Sequence, residues 1–223
     1  HCGEAVEQWK VLHERLRRVK YLADAQITSD ILSGASAVLV DEVHLLSQEK
    51  LEYLLRYCGN RPVIFSSDYE NMLSPEELDR AAVHALEQIS GIQSFRLTNR
   101  IRTNAEISSF IQNMMCLPER KKGRHFPHVT VLYANDDREA DVLLSDAQHQ
   151  GYQVILNEAE PAICAGRLAM VLDQRYFYDR QNYLRSDDRS VRRLFHQLNG
   201  AKEELLLVVK QNEPLYAVLL DLL

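Results

Sequence analysis

The stretch Ala37-Val-Leu-Val-Asp41-Glu42-Val-His44 decides the fold that we expect for this chain. Four successive apolar residues that end in polar ones are typical of a strand buried in a parallel sheet. Outward from this stretch, apolar runs of strand length alternate with segments of helical periodicity. Strands separated by helices of roughly ten to fifteen residues indicate βαβ units. The sequence therefore predicts an α/β fold with parallel sheets flanked by helices.

The predicted elements fall into two lobes on either side of a polar, basic connector at residues 119–128, which contains Gly123. The first lobe covers residues 1–118 and the second covers residues 129–223. Predicted strands are 37–40, 62–65, 93–97, 129–133, 152–156, 168–172 and 205–209. Predicted helices are 5–19, 48–57, 74–90, 103–114, 138–150, 190–198 and a terminal helix from residue 214.

Composition narrows the class of protein. The 223 residues include 46% apolar and 26% charged side chains, which excludes a disordered or fibrous chain. No apolar run approaches the roughly 20 residues that a membrane-spanning helix needs. Four cysteines without a CxxC pair predict neither a zinc site nor a disulfide framework, and they favour the reducing cytoplasm. The formal charge of −6 does not favour nucleic acid in bulk, although a local basic face could bind it.

Two adjacent acids, Asp41 and Glu42, carry the strongest chemical signal. They stand at the carboxyl end of a predicted buried strand, where ligands bind in parallel α/β sheets. In this Walker B pattern, Asp41 would hold Mg²⁺ and Glu42 would orient or deprotonate an attacking water. The alternative is that both acids only cap the strand and begin a turn. His44 could couple nucleotide state to a neighbouring element, or it could be a surface histidine.

Two later segments offer groups that could contact a phosphate. Asp68 and Asn71 follow the second predicted strand and could face a terminal phosphate. Arg100 and Arg102 stand at a strand-to-helix junction, from which an arginine can reach a transferring phosphate. The alternative for both arginines is that they are solvated turn residues.

The stretches VLVDEVHLLS (38–47), VIFSSDYENML (63–73) and LTNRIRTNAEISSFIQNM (97–114) resemble the helicase-like ATP-binding proteins. That family is related to the Schlafen group-three helicase domain and to superfamily-one helicases. The resemblance implies two RecA-like lobes with Mg-ATP between them. It assigns Mg²⁺ to Asp41, catalytic roles to Glu42 and Arg102, and nucleotide contacts to the third-motif residues. Those third-motif residues are Asp68 and Asn71, and Asn71 stands where the family usually has Gln.

The chain also departs from that family at two places. No segment has the P-loop form GxxxxGK followed by Ser or Thr, which holds phosphates through backbone donors and a lysine. We therefore expect the chain to begin just past this loop, with the first lobe incomplete at its N-terminus. Gly200 occupies the position of the family's finger arginine, and Lys202 keeps a charge nearby. This polypeptide alone should not be an efficient ATPase.

Two functions remain open from the sequence. In the first, the parent protein would hydrolyse ATP to remodel nucleic acid or a partner protein. A basic cluster could then bind the phosphate backbone of single-stranded nucleic acid. The alternative is a non-enzymatic interaction module that keeps the helicase-like fold, in which the cluster is a solvated linker. That cluster consists of Arg120, Lys121, Lys122 and Arg124.

Overall fold

The computed structural model describes residues 24–67, 104–119, 125–156, 163–187 and 191–223, together with single positions 22, 73, 86, 88, 93 and 95. The chain divides into two compact units, His1–Arg96 and Leu97–Leu223. The predicted helices at 5–19 and 74–90 and the predicted strand at 93–97 lie outside the described residues, apart from single positions. The predicted lobe boundaries at 118 and 129 stay a prediction.

The first unit contains a pair of parallel strands, β1 (Val38–Val40) and β2 (Val63–Phe65), in the register Val38 to Val63. Two helices, α1 (Ser29–Gly34) and α2 (Gln48–Cys58), accompany them. Ser47 begins α2 because its side chain accepts a hydrogen bond from the Lys50 amide, a typical N-cap. The buried face of α2 joins the partly buried side chains of both strands in one core cluster. This small core fixes the edge of the sheet where the two predicted acids stand.

The second unit is built on four parallel strands in the order β3-β8-β5-β4. A two-stranded antiparallel hairpin, β6-β7, accompanies this sheet. The strands are β3 (Val129–Ala134), β4 (Gln153–Ile155), β5 (Ala165–Leu172), β6 (Tyr176–Tyr178), β7 (Leu184–Ser186) and β8 (Ala201–Lys210). The helices are α3 (Ala105–Met115), α4 (Asp137–His149), α5 (Val191–Leu198) and α6 (Glu213–Leu222).

Helices cover both faces of the four-stranded sheet. On one face, α4 packs its alanines and Leu144 against alternate residues of the strands, among them Leu206 and Val208. On the other face, α6 contacts β3 and β8, and Tyr216 lies against the ring of Tyr133. The fold is therefore α/β, with a parallel sheet flanked by helices, as the sequence predicted, and it is consistent with a RecA-like fold.

Helix α3 illustrates how its sequence dictates its position. Four side chains at helical spacing, Ile107, Phe110, Ile111 and Met114, are fully buried, and each contributes about 1.5–3 kcal/mol of transfer free energy. The helix contacts β8, α5 and α6 and thus packs within the second unit. Its N-cap is Asn104, whose side chain accepts a hydrogen bond from an amide of the first turn. The helix therefore begins at Ala105, two residues after the predicted start at residue 103.

None of the described helices is both long enough and apolar enough to cross a membrane.

Candidate functional site

The candidate site is the edge of the first unit's sheet where β1 and β2 end. Because the two strands run parallel, the residues that follow them meet at the same edge. The Ser66 amide donates to the carbonyl of Val40 at 2.8 Å, and the Val43 amide donates to the carbonyl of Ser66 at 2.9 Å. These two bonds continue the strand pairing past the strands themselves. They hold Ser66 beside the Asp41–Glu42 pair.

Asp41 is exposed at this edge and its carboxylate is held by two donors. The backbone amide of Glu42 donates to Oδ1 at 3.1 Å, and the Ser66 hydroxyl donates to the same oxygen. Donors on this oxygen restrict rotation of the carboxylate. The structure therefore places a fixed, solvent-facing carboxylate at the carboxyl end of a parallel strand.

Glu42 has a left-handed backbone, with φ 52° and ψ 46°. A side chain other than glycine costs about 1 kcal/mol in this conformation, so it persists only where the surroundings impose it. Here the imposing contact is the Val43–Ser66 backbone bond, after which the chain enters a short 3₁₀ helix at Val43–Leu45. Strain of this kind concentrates at functional sites. The Glu42 side chain is half-buried beside Asp41.

His44 is fully buried at the base of the same turn. Its Nδ1 lies 3.4 Å from the hydroxyl of Ser67, which follows Ser66 in the chain. The side chains of the two residues after β2 thus contact the acidic segment, Ser66 at Asp41 and Ser67 at His44. The surface alternative for His44 is wrong, and its coupling alternative stays a prediction.

The oxygen donors at this edge suit Mg²⁺ in kind. Carboxylate, hydroxyl and water oxygens are the ligands of this ion, which commonly takes only one or two carboxylates from the protein. In the part of the chain that the structure describes, no group of three or more His, Cys, Asp or Glu side chains could hold a metal ion.

The other predicted nucleotide-site residues, Asp68, Asn71, Arg100 and Arg102, lie outside the described residues. Sequence reasoning missed the roles of Ser66 and Ser67. The available signal was a pair of hydroxyl residues directly after a short apolar strand. The predicted nucleic-acid cluster also lies outside the described residues; it comprises Arg120, Lys121, Lys122 and Arg124.

In the second unit, the surroundings of Gly200 leave no room for a side chain. A Cβ placed on Gly200 would overlap the backbone carbonyl of Ile163 and would lie 3.0 Å from the carbonyl oxygen of Gln197. Both neighbours are backbone atoms, which cannot rotate away as a flexible side chain can. The position that the resemblance assigned to a finger arginine is therefore closed to any side chain in this fold. Lys202, two residues on, is exposed.

A shallow cleft of about 180 Å³ lies at the carboxyl end of the second unit's sheet, beside α4. Its rim pairs Lys210 with Asp137 and Arg175 with Asp173. Burial works to raise the pKa of Asp173, but hydrogen bonds from Arg175 outweigh it and hold the pKa below its usual range. Asp141 adds a further negative charge to the lining. Because each cation is matched by an acid, the cleft does not favour a phosphate.

No protein-family model matches this chain, and no curated protein matches it significantly.

Proposed function

We propose that the chain belongs to a P-loop NTPase of the superfamily-one helicase type and carries the water-activating half of its nucleotide site. The observation that carries the proposal is the oriented Asp41 carboxylate at the shared edge of β1 and β2. Ligands of parallel α/β sheets bind outside the carboxyl ends of strands, and this edge also holds the strained Glu42. A cap-and-turn role alone would not require either feature.

In this proposal, Asp41 holds Mg²⁺ and Glu42 accepts a proton from the attacking water. When bound, Mg²⁺ would neutralise the charge that develops on the transferring phosphate. The turn that fixes Glu42 beside Asp41 positions the base before the substrate arrives, which lowers the entropic cost of reaching the reactive geometry. The resemblance adds Arg102 as a second catalytic residue and Asp68 and Asn71 as nucleotide contacts. Arg100 is proposed as a further nucleotide contact from its place at the predicted strand-to-helix junction.

The proposal extends to partners and compartment. ATP turnover would remodel single-stranded nucleic acid or a protein partner. The basic cluster at residues 120–124 would contact the phosphate backbone of the nucleic acid. We place the protein in the cytoplasm, because its four cysteines lack the spacing of a disulfide framework and a reducing compartment suits such a sequence.

Replacing each acid separately tests the proposal in the protein as the cell makes it. Glu42→Gln should keep Mg-dependent nucleotide binding and lower ATP turnover by about 100-fold or more, because the general base is lost. Asp41→Asn should weaken both. Glu49→Gln, on the exposed face of α2 in the same unit, is the matched control and should leave both unchanged. Turnover that survives Glu42→Gln would refute the assigned base.

A non-enzymatic interaction module is the second candidate, and the closed surroundings of Gly200 favour it. An arginine finger contributes about 10³–10⁵ in rate, so a protein without one hydrolyses slowly. This candidate predicts that the wild-type protein binds nucleotide, or a partner, without measurable turnover. The same set of variants then separates the two functions, since Glu42→Gln would change nothing.

A further inference from the structure

We propose that Ser66 is a positioning residue, which orients the Asp41 carboxylate for a divalent cation. The inference rests on the proposed function, because it assumes that Asp41 is the metal ligand. It adds a residue from the neighbouring strand to the site.

Ser66 is held against Asp41 by side-chain and backbone hydrogen bonds together. Its side chain reaches Asp41 Oδ1 across the strand pair, over a separation of 25 residues in the chain. Its own amide and carbonyl are both bonded to the β1 side, to Val40 and Val43. Ser66 is therefore anchored on both sides by backbone bonds. Its hydroxyl is presented to Asp41 from a fixed position.

The second contact of the same strand end supports a functional reading. Ser67 lies 3.4 Å from the ring of His44, so consecutive hydroxyls contact the first and last residues of the segment Asp41–His44. A segment held at both ends keeps the orientation of the strained Glu42 between them. The two residues that follow β2 therefore hold the acidic turn at both of its ends, and Ser66 makes the principal contact.

The magnitude follows from what such contacts contribute at metal sites. Hydrogen bonds that orient a ligating carboxylate typically change metal affinity by about 10–100-fold when they are removed. The residue is exposed and outside the core cluster of this unit, so a purely structural role would leave metal affinity unchanged. Metal affinity is therefore the readout that separates positioning from packing.

The test uses Mn²⁺ alone as the probe, added to the protein as the cell makes it and followed by paramagnetic broadening of backbone amide NMR signals. Ser66→Thr keeps the hydroxyl, and Ser66→Val has nearly the same shape without it. We expect broadening centred on Glu42 and Val43 in the wild type and in Ser66→Thr. In Ser66→Val the Mn²⁺ concentration for half-maximal broadening should rise about tenfold or more. Ser33→Ala, on α1, is the control and should behave as wild type, since that hydroxyl bonds only within its own helix.

Asp41→Ala separates failure of this inference from failure of the proposed function. If Asp41→Ala leaves the broadening intact, Asp41 is not the ligand and both proposals fall. If Asp41→Ala abolishes it but Ser66→Val matches Ser66→Thr, only the positioning role is refuted. The dispersion of the amide spectrum reports in each case whether the variant is folded.

Discussion

Replacing Gly200 with alanine should destabilise the second unit by about 3 kcal/mol. The added Cβ would overlap the Ile163 carbonyl, so the backbone at the start of β8 must shift. That shift strains the Ala165–Gly200 and Gly200–Gln197 backbone hydrogen bonds, which are 3.0 and 2.9 Å long. Overpacking costs about 1–3 kcal/mol, and each weakened bond adds roughly 1 kcal/mol.

Urea denaturation followed by circular dichroism measures this change. With a slope of about 2 kcal/mol per molar urea, a loss of 3 kcal/mol lowers the midpoint of the second unit by about 1.5 M. Hydrogen exchange of the β8 amides assigns the loss to that unit, because protection there should fall in parallel. Gly34→Ala is the control: nothing lies within 4 Å of its Cβ position, so its stability should be unchanged or slightly raised.

A change of less than about 0.5 kcal/mol in the free energy of unfolding of Gly200→Ala would contradict the claim that no side chain fits there, since surface substitutions fall in that range. It would mean that the Ile163 segment moves freely away from β8. The position could then accept a longer side chain, and the argument against a finger arginine at Gly200 would fail. A loss near the expected size would instead keep that position closed.

Three further predictions concern separate parts of the molecule. Asn212→Leu should lower the free energy of unfolding by about 3 kcal/mol in urea titrations, because the buried amide donates to two backbone carbonyls and accepts from the Leu215 amide. Glu42→Gly should raise thermal stability by about 1 kcal/mol relative to Glu42→Ala, because glycine adopts the left-handed backbone without strain; an equal melting temperature would contradict this. Burial and the hydrogen bond to Glu204 raise the pKa of Tyr152 to about 12, so its contribution to stability is present below about pH 10 and is lost as the pH rises through the folded-state pKa. Tyr152→Phe should accordingly flatten the decline of stability above about pH 10, and an unchanged slope would show that another group causes it.

Short apolar runs and capping residues made most of the described fold predictable. The observed β1, β2, β3 and α2 agree with the predicted elements to within about a residue at each end. Apolar runs and helical periodicity identified them. The predicted burial of β1 was wrong in part, because Leu39 at its centre is 72% exposed.

The β6-β7 hairpin was not predicted. Its polar loop at 179–182 separates the aromatic run Tyr176–Tyr178 from β7, which has no aromatic side chain, and this pattern also fits a surface loop. What distinguishes the two is tertiary: Tyr178 is partly buried and donates to the carbonyl of Met114, a contact over 64 residues. Asn182, with φ 62°, makes the turn, and its left-handed backbone has no certain signature in the sequence.

The candidate site was predictable only in part. An apolar run followed by two acids predicted where Asp41 and Glu42 stand, because strand direction sets which end they occupy. The role of Ser66 could not be predicted, since it depends on the register between two strands that a single sequence does not specify. The closed surroundings of Gly200 depend likewise on the backbone of Ile163, which is 37 residues away in sequence.

The dependence of nucleotide affinity on Mg²⁺ is the most direct test of the proposal that Asp41 holds this ion in a nucleotide site. A fluorescent ATP analogue is titrated into the protein as the cell makes it, with and without Mg²⁺, in the wild type and in Asp41→Ala. We expect Mg²⁺ to tighten binding about tenfold or more in the wild type and to leave affinity unchanged in Asp41→Ala, because the carboxylate that holds the ion is gone. An equal gain from Mg²⁺ in both proteins would contradict it.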